Sequence, residues 1–141
     1  YTAQLIEDFA QDVRVIMHGS VELVRMAERI ASGDAVALEA FRIAQAPLFA
    51  APGGDRIDTI VLACTHFPLI RGELAATVPH PVTFIDSGEA IARQAMRVLL
   101  DGNGSTGPGG TVWLTSEARA ETRLVEVSRR FGFGTVREIR V

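Results

Sequence analysis

One stretch of the sequence, IDTIVLACTHFPL at residues 57–69, decides the fold. Its first part, residues 57–63, is a nearly continuous apolar run rich in β-branched side chains, which is typical of a strand covered on both faces in a parallel sheet. A Cys-Thr-His turn follows at residues 64–66. Pro68 then suits the first turn of a helix, because its missing N–H would find no intrahelical partner there. The stretch therefore predicts a buried strand, a turn of reactive side chains and a helix, in that order.

Strands and helices are expected to alternate along the rest of the chain. The predicted strands are residues 13–17, 57–63, 82–85, 111–114 and 135–141. The predicted helices are residues 3–9, 20–33, 34–47, a short one from 68, 86–100 and 116–131. Their ends carry capping and breaking signals. At N-termini these are Ser20, Asp34 and Asp86, and at C-termini they are Gly33 and the series Pro47, Pro52 and Gly53-Gly54. This alternation predicts an α/β fold of three layers, with a mostly parallel sheet and helices on both faces.

The chain divides into two predicted segments. Residues 1–88 form an α/β segment that carries the Cys-Thr-His turn, and residues 89–141 hold a C-terminal helix, a Gly-rich connector and a strand-helix-strand return. The connector, residues 101–110, is too poor in apolar side chains to pack into a core. Open parallel sheets bind ligands beyond the carboxyl ends of their strands, which is where Cys64 lies. We therefore expect the functional site in the first segment.

The composition excludes several classes of function. The chain has 141 residues, 48% of them hydrophobic, a net charge of −3 and a single cysteine. It contains no lysine, which excludes Schiff-base chemistry, covalently held pyridoxal phosphate and a phosphate-loop lysine. The arginines are mostly scattered, which argues against a nucleic-acid partner, and no apolar run is long enough to cross a membrane. No export signal opens the sequence, so a cytoplasmic location is expected.

Three neighbouring side chains, Cys64, Thr65 and His66, are the strongest candidates for chemistry. Free N–H groups at the start of the following helix would stabilise a Cys64 thiolate, and the same groups would bind a carboxylate. His66 is close enough along the chain to tune the thiol or exchange its proton. The Thr65 hydroxyl suits a carboxylate contact. One turn could therefore bind an anionic substrate and place a base beside it.

Plainer interpretations stay open for each of these residues. A single cysteine is often inert core packing, and His66 could be held by backbone groups. Glu28 has the spacing of a solvated helix surface. A metal site is not expected, because Cys64 and His66 leave at least two ligands missing and neither His18 nor His80 is at ligand spacing. The residues imply no cofactor.

Three segments resemble glutamate racemases, and they occur in the order that this family shows. Residues 57–69 resemble the family's second catalytic-cysteine motif, and residues 86–93, DSGEAIAR, are similar to the segment that follows it. Residues 18–28, which begin HGSVELV, are similar to a helix start found upstream in proteobacterial members. The resemblance covers nearly the whole chain but only the C-terminal half of the family's protein. It implies one half of a two-domain, pseudo-symmetric racemase.

The resemblance implies a cofactor-independent interconversion of L- and D-glutamate for peptidoglycan synthesis, in which two cysteines act on opposite faces of the substrate. Cys64 would be one of these cysteines, His66 its proton-relay or tuning partner, Thr65 a carboxylate contact and Glu28 an auxiliary residue. The expected partners are glutamate and the family's N-terminal half, and without that half the chain is expected to be inactive. The part after about Ser87 would lose its packing partner, so exposed apolar surface and a homo-oligomer are expected there.

Two rival interpretations of the same turn remain. A non-catalytic amino-acid or dicarboxylate-binding α/β domain would bind its ligand through backbone N–H groups and would not need the thiol. Another Cys/His enzyme, such as a relative of aspartate racemase or an α/β thiol hydrolase, would need it. Ligand binding that persists without Cys64 would favour the binding domain over the racemase. Exchange of an α-proton would favour the racemase over another Cys/His enzyme.

Overall fold

The structure, a computed structural model, describes residues 2–100, 110–114 and 122–139. Within these ranges the helices are α1 (Thr2–Phe9), α2 (Val21–Ala31), α3 (Leu38–Ala50), α4 (Arg71–Ala75), α5 (Gly88–Leu100) and α6 (Thr122–Arg130). Short 3-10 helices span Gly54–Arg56 and Phe67–Ile70. The strands are β1 (Thr59–Val61), β2 (Thr83–Ile85), β3 (Thr111–Leu114) and β4 (Thr135–Glu138). The predicted α/β class is confirmed, with helices and strands alternating from α3 onward.

The strands pair in parallel, as the sequence predicts, and the described residues place them in two sheets. β1 pairs with β2, with Thr59, Ile60 and Val61 opposite Thr83, Phe84 and Ile85. β3 pairs with β4 in a second parallel pair. Parallel strands need a crossover connection, and the 3-10 helix Phe67–Ile70 with α4 provides it between β1 and β2. The Cys-Thr-His turn lies at the start of this crossover.

The core lies between one face of the β1–β2 sheet and the helices α2, α3 and α4. Its buried side chains are Leu23, Met26, Ala27, Phe41, Leu62, Ile70, Leu74 and Phe84. Phe41 and Ile70 are fully buried. The interior of α3 also holds Gln45, whose amide nitrogen donates to the Thr77 hydroxyl at 2.6 Å. Every buried polar side-chain atom of the described residues has a hydrogen-bond partner, so this core carries no unpaired polar group.

Helices cover only one face of the β1–β2 sheet within the described part of the chain. Side chains alternate between faces along a strand, so Ile60 and Phe84 point into the core while Val61 and Ile85 point away from it. The latter two are 66% and 50% exposed. An apolar run is expected to be covered on both sides, and this uncovered face is the main departure from that expectation.

The predicted strand at residues 13–17 is wrong, because this segment is irregular in the structure. Its apolar side chains Val13 and Met17 are 58% and 65% exposed. A cavity of about 1030 Å³ lies between β1 and this segment, with α1 completing the wall. A strand needs a ladder of hydrogen bonds to a neighbour, and no described strand pairs with residues 13–17. The β-branched pattern alone does not supply that neighbour.

Helix α3 begins at Leu38, three residues later than an N-cap at Asp34 predicts. The Asp34 carboxylate lies 4.0 Å from the Arg29 guanidinium, on the preceding helix. Asp34 thus lies three residues before the N-cap position of α3. The residue that occupies the N-cap position is Ala37, which has no side chain able to make a capping hydrogen bond.

Pro47 lies inside α3, so the predicted break at Pro47 is wrong, whereas the helix does end, at Ala50, before the predicted breaks at Pro52 and Gly53-Gly54. Proline forfeits the hydrogen bond that its N–H would donate to the Ile43 carbonyl and costs about 3 kcal/mol in a helix interior. Complete burial of Phe41 on the same helix offsets much of this cost, since burying such a side chain contributes about 1.5–3 kcal/mol. Tertiary packing therefore overrides the local signal.

The predicted ends of α2 are confirmed, and they fix the direction in which this helix meets the site. The Leu23 N–H donates to the Ser20 hydroxyl at 3.2 Å, which caps the N-terminus. Gly33 ends the helix with φ of +89°, a left-handed conformation that favours glycine. At α5, the Gly88 N–H donates to Asp86 at 2.8 Å, and Glu89 pairs with Arg93 at 3.1 Å.

Helix α5 presents its apolar side chains to solvent, which confirms the exposed surface expected after Ser87. Ile91, Met96, Val98 and Leu99 are each more than half exposed. None of the helices in the described ranges has the length and apolar character needed to cross a membrane. The predicted connector at residues 101–110 and the first part of the predicted helix at 116–131 lie largely outside the described residues.

Candidate functional site

The Cys-Thr-His turn follows directly from β1 and is held by backbone hydrogen bonds. The Leu62 N–H donates to the Ile85 carbonyl at 2.8 Å and extends the parallel ladder one residue past β1. The Phe67 N–H then donates to the Cys64 carbonyl at 3.3 Å, and the Leu69 N–H donates to the His66 carbonyl at 3.1 Å. His66 thereby becomes the N-cap residue of the 3-10 helix Phe67–Ile70. The sheet edge and the 3-10 helix fix the turn from both sides.

The structure brings Cys64, His66 and Glu28 together in a series. The Cys64 sulfur lies 3.7 Å from His66 Nδ1, within hydrogen-bond distance for sulfur. On the other side of the ring, His66 Nε2 lies 3.7 Å from a carboxylate oxygen of Glu28. The imidazole therefore stands between a thiol and a carboxylate, an order that suits proton exchange with the thiol and stabilisation of a charged ring. Glu28, which spacing alone assigns to the surface, belongs to this group.

The Thr65 hydroxyl and the Cys64 sulfur both lie near the same ring nitrogen of His66, Nδ1. The hydroxyl oxygen of Thr65 lies 3.4 Å from His66 Nδ1, and the side chain is exposed. A neutral imidazole carries either a donor or an acceptor at Nδ1, so the ring interacts differently with the two neighbours in its two tautomers.

Cys64 lines an open cleft of about 570 Å³. Ala63 and Phe67 form the same wall, and the opposite wall is the N-terminus of α2, at Gly19 and Ser20. The helix that follows Cys64 is a 3-10 turn leading into the five-residue α4, so the expected supply of free N–H groups from that helix is not what the structure shows. The N-terminus of the longer α2 borders the cleft instead, at Ser20 and Val21, and the first N–H groups of a helix have no partner within it.

His18 is a cleft residue that the sequence did not identify as one. It lines the cleft beside Gly19, and its Nε2 lies 2.9 Å from the Ala44 carbonyl of α3. The ring thus anchors the irregular segment before α2 to the core. The one signal that could have found it is the resemblance at residues 18–28, which begins at His18. Among the described residues no three His, Cys, Asp or Glu side chains group closely enough to hold a metal ion.

These features define an α/β protein with a thiol, an imidazole and a carboxylate at the carboxyl end of a parallel sheet. No protein-family model matches the sequence. Individual proteins do match, and they are glutamate racemases, so the predicted resemblance to these enzymes is confirmed. The glutamate racemase of Salmonella paratyphi A is 36% identical over 143 residues, which cover 100% of this chain and 50% of that protein. The glutamate racemase of Sodalis glossinidius is 38% identical over 141 residues, which cover 96% of this chain and 48% of that protein.

A solved structure agrees with these sequence matches. It is E. coli glutamate racemase in complex with L-glutamate and the activator UDP-MurNAc-Ala, with a TM-score of 0.82 and 32% sequence identity. The similarity covers 100% of this chain and 53% of that chain. The chain therefore spans about half the length of the curated relatives it matches, and it has the fold of the corresponding part of the solved enzyme.

Proposed function

We propose that this chain acts as the C-terminal half of a glutamate racemase and that Cys64 is one of the two acid/base groups of the reaction. The observation that carries the proposal is the Cys64, His66 and Glu28 series beside an open cleft. The similar E. coli enzyme is in complex with L-glutamate, which supports glutamate as the substrate. The reaction is an isomerisation in the cytoplasm, and its product, D-glutamate, serves peptidoglycan synthesis.

Proton removal from the α-carbon is the step assigned to Cys64. The thiolate takes the α-proton and becomes a thiol, and the electron pair stays on the substrate. His66, with Nδ1 3.7 Å from the sulfur, exchanges this proton with solvent and restores the thiolate. Glu28 on the far side of the ring stabilises the imidazolium form. Inversion then needs a second group that delivers a proton to the opposite face.

Two features are suited to binding the carboxylates of glutamate. The first N–H groups of α2 have no partner within the helix. Among them, the Leu23 N–H donates to the hydroxyl of the N-cap residue Ser20. The second is the exposed hydroxyl of Thr65, which follows Cys64 in the chain and lies outside the residues that line the cleft. The chain has no lysine to hold pyridoxal as an electron sink, so the reaction is proposed to run on acid/base groups without a cofactor.

Exchange of the α-proton tests the proposal directly. The chain, diluted and kept reduced, is incubated in D₂O with L-glutamate and separately with D-glutamate, and the α-hydrogen signal is followed by NMR. We expect deuterium to enter one enantiomer without inversion, because a single base reaches one face. Cys64→Ser should reduce the exchange rate by at least about 100-fold, the usual contribution of a positioned acid/base group. Absence of exchange with both enantiomers would overturn the proposal.

The binding-domain alternative is favoured by one observation, which is that the α2 N-terminus faces the cleft independently of the thiol. This alternative expects L-glutamate to bind equally well to the wild-type chain and to Cys64→Ala, with no exchange in either. Calorimetric titration of both proteins measures this. L-Aspartate, run in parallel in the exchange experiment, separates glutamate from aspartate racemisation.

A further inference from the structure

The segment that leads into α2 is held to the core by the side chain of His18. Residues 14–19 have no regular secondary structure. Within the part of the chain that the structure describes, the one hydrogen bond that these residues make joins His18 Nε2 to the Ala44 carbonyl oxygen, at 2.9 Å. A carbonyl oxygen can only accept a hydrogen bond, so Nε2 carries the proton and donates it. His18 therefore anchors this segment to α3.

The anchor lies next to the cleft that Cys64 lines. His18 borders this cleft together with Gly19 and Ser20, which follow it in the chain. Ser20 is the N-cap residue of α2, and its hydroxyl accepts from the Leu23 N–H at 3.2 Å. Consecutive Cα atoms are about 3.8 Å apart, so a fixed His18 restricts the position of the N-cap residue close behind it. The wall of the cleft opposite Cys64 therefore takes its position from His18.

We propose that His18 is a positioning residue for substrate binding, which holds the N-terminus of α2 where a carboxylate of the substrate binds. The inference rests on the proposed function for its substrate, glutamate, and for the cleft in which that substrate lies. The first N–H groups of a helix bind an anion through their position as well as their partial charge. A wall that moves relative to Cys64 would therefore bind the substrate more weakly.

The packing of α2 limits what His18 controls. Burial of this helix in the core begins at Leu23. The helix packs against the 3-10 helix Phe67–Ile70, and Glu28 lies beside His66. Loss of the His18 bond therefore releases the chain before Leu23 and leaves the pair of Glu28 and His66 in place. We expect a change in the binding of glutamate and not in the rate of proton transfer.

Two substitutions separate the Nε2 donor from the rest of the ring. Glutamine places an amide nitrogen near the position of Nε2, whereas asparagine reaches only as far as Nδ1. His18→Asn should raise the L-glutamate concentration needed for half-maximal α-proton exchange by about 3–10-fold, as expected for one lost hydrogen bond. His18→Gln should return that concentration to within about twofold of the wild-type value. The maximal exchange rate should change by less than about twofold in both variants.

His80 offers a matched control away from the cleft. Its Nε2 lies 2.7 Å from the Ile57 carbonyl oxygen, its ring packs edge-on against Phe49, and it lies outside the residues that line the cleft. His80→Asn therefore removes the same kind of bond at a distant place. Urea unfolding should show a loss of stability for His80→Asn at least as large as for His18→Asn. Only His18→Asn should weaken the binding of L-glutamate.

The ring of His18 can also be observed without turnover. Nitrogen NMR of the chain with ¹⁵N-labelled histidine shows which ring nitrogen carries the proton, and the His18 signals are assigned by their absence from His18→Gln. We expect the neutral ring to carry its proton on Nε2, the tautomer that the bond to Ala44 requires. A proton on Nδ1 would overturn the inference, whether or not the chain catalyses exchange.

The outcomes distinguish this inference from the proposed function. Equal weakening of binding by His18→Asn and His80→Asn, or failure of His18→Gln to restore it, overturns the positioning role and leaves the proposed function standing. If the wild-type chain exchanges no α-proton, the proposed function fails, and calorimetric titration with L-glutamate then tests the positioning role. Weaker binding by His18→Asn, restored in His18→Gln, supports that role, whereas equal affinities or no binding to any of the proteins overturns it.

Discussion

His66 occupies the middle of the site, and its two ring nitrogens have different neighbours. Nδ1 lies 3.7 Å from the Cys64 sulfur and 3.4 Å from the Thr65 hydroxyl, whereas Nε2 lies 3.7 Å from Glu28. The Glu28 carboxylate on α2 would thus compensate a positive charge on the ring, while the proton moves between Nδ1 and the Cys64 sulfur. The role assigned to Glu28 is therefore one of positioning and charge compensation.

Glu28→Gln tests this role at the scale of one residue. Removing the negative charge should slow α-proton exchange by about 10-fold, which is less than the loss expected for a direct acid/base group. Glu28→Asp keeps the charge and should recover part of the rate. Glu22→Gln is the matched control, because Glu22 lies on the same helix and pairs with Arg25 instead of with His66. Equal rates for Glu22→Gln and Glu28→Gln would contradict the role.

Among the elements, the short 3-10 helix Gly54–Arg56 holds the end of α3 against the start of the sheet. A Cβ atom added at Gly54 would overlap the backbone carbonyl group of Phe49, and it would lie 2.7 Å from the Leu48 carbonyl oxygen. Backbone atoms cannot move aside as a flexible side chain can. Gly54 is therefore fixed as glycine by close approach, and not by an unusual φ.

Gly54→Ala should lower the free energy of unfolding by about 1–3 kcal/mol, the usual cost of overpacking. Gly72→Ala is the matched control, because a Cβ atom there has nothing within 4 Å and the position lies inside α4. Alanine in a helix is favoured over glycine by about 0.5–1 kcal/mol, so this control should be neutral or stabilising. Urea unfolding followed by circular dichroism measures both changes. A neutral Gly54→Ala would disprove the close approach.

The elements also show how far the sequence alone can specify this structure. Ser20 and Gly33 predict the ends of α2 correctly, because capping depends on a few neighbouring residues. The apolar run after residue 57 predicts β1, and Cys64, Thr65 and His66 are close together in sequence as well as in space. Segment 13–17 fails because a strand depends on a distant partner, and Pro47 fails because burial of the helix outweighs a local cost.

Glu28 shows the same limit of prediction from sequence within the candidate site. It is far from His66 along the chain, and its spacing on α2 gives only the face of the helix on which it lies. The packing of α2 against the 3-10 helix Phe67–Ile70 brings the two side chains together. Only the resemblance at residues 18–28 connected Glu28 to the site in advance, since no local pattern encodes that packing.

In the part of the chain that the structure describes, some apolar side chains are buried beneath one face of the β1–β2 sheet and others are in solvent. Ile70 is 0% exposed in the core, whereas Ile91 on α5 is 63% exposed. The same substitution at these two positions compares the two environments. Ile70→Ala should lower the free energy of unfolding by about 2–5 kcal/mol, because it removes buried contacts and leaves a cavity. Ile91→Ala should change it by less than about 0.5 kcal/mol.

Equilibrium urea unfolding of the three proteins, run at low chain concentration, measures this contrast. Low concentration matters because association would stabilise any surface that it covers. A loss of several kcal/mol for Ile91→Ala in the monomer would show that α5 packs within the chain.

The shortness of the strands has a consequence for the behaviour of the chain in concentrated solution. β1 and β2 have three residues each, and within the described residues each has a neighbour on one side only. An open edge is a template for fibril growth, and cross-β stacking typically takes segments of about six or seven residues. Edges this short offer few donors and acceptors to an incoming strand. The short strands that keep the sheet small therefore also limit its growth into a fibre.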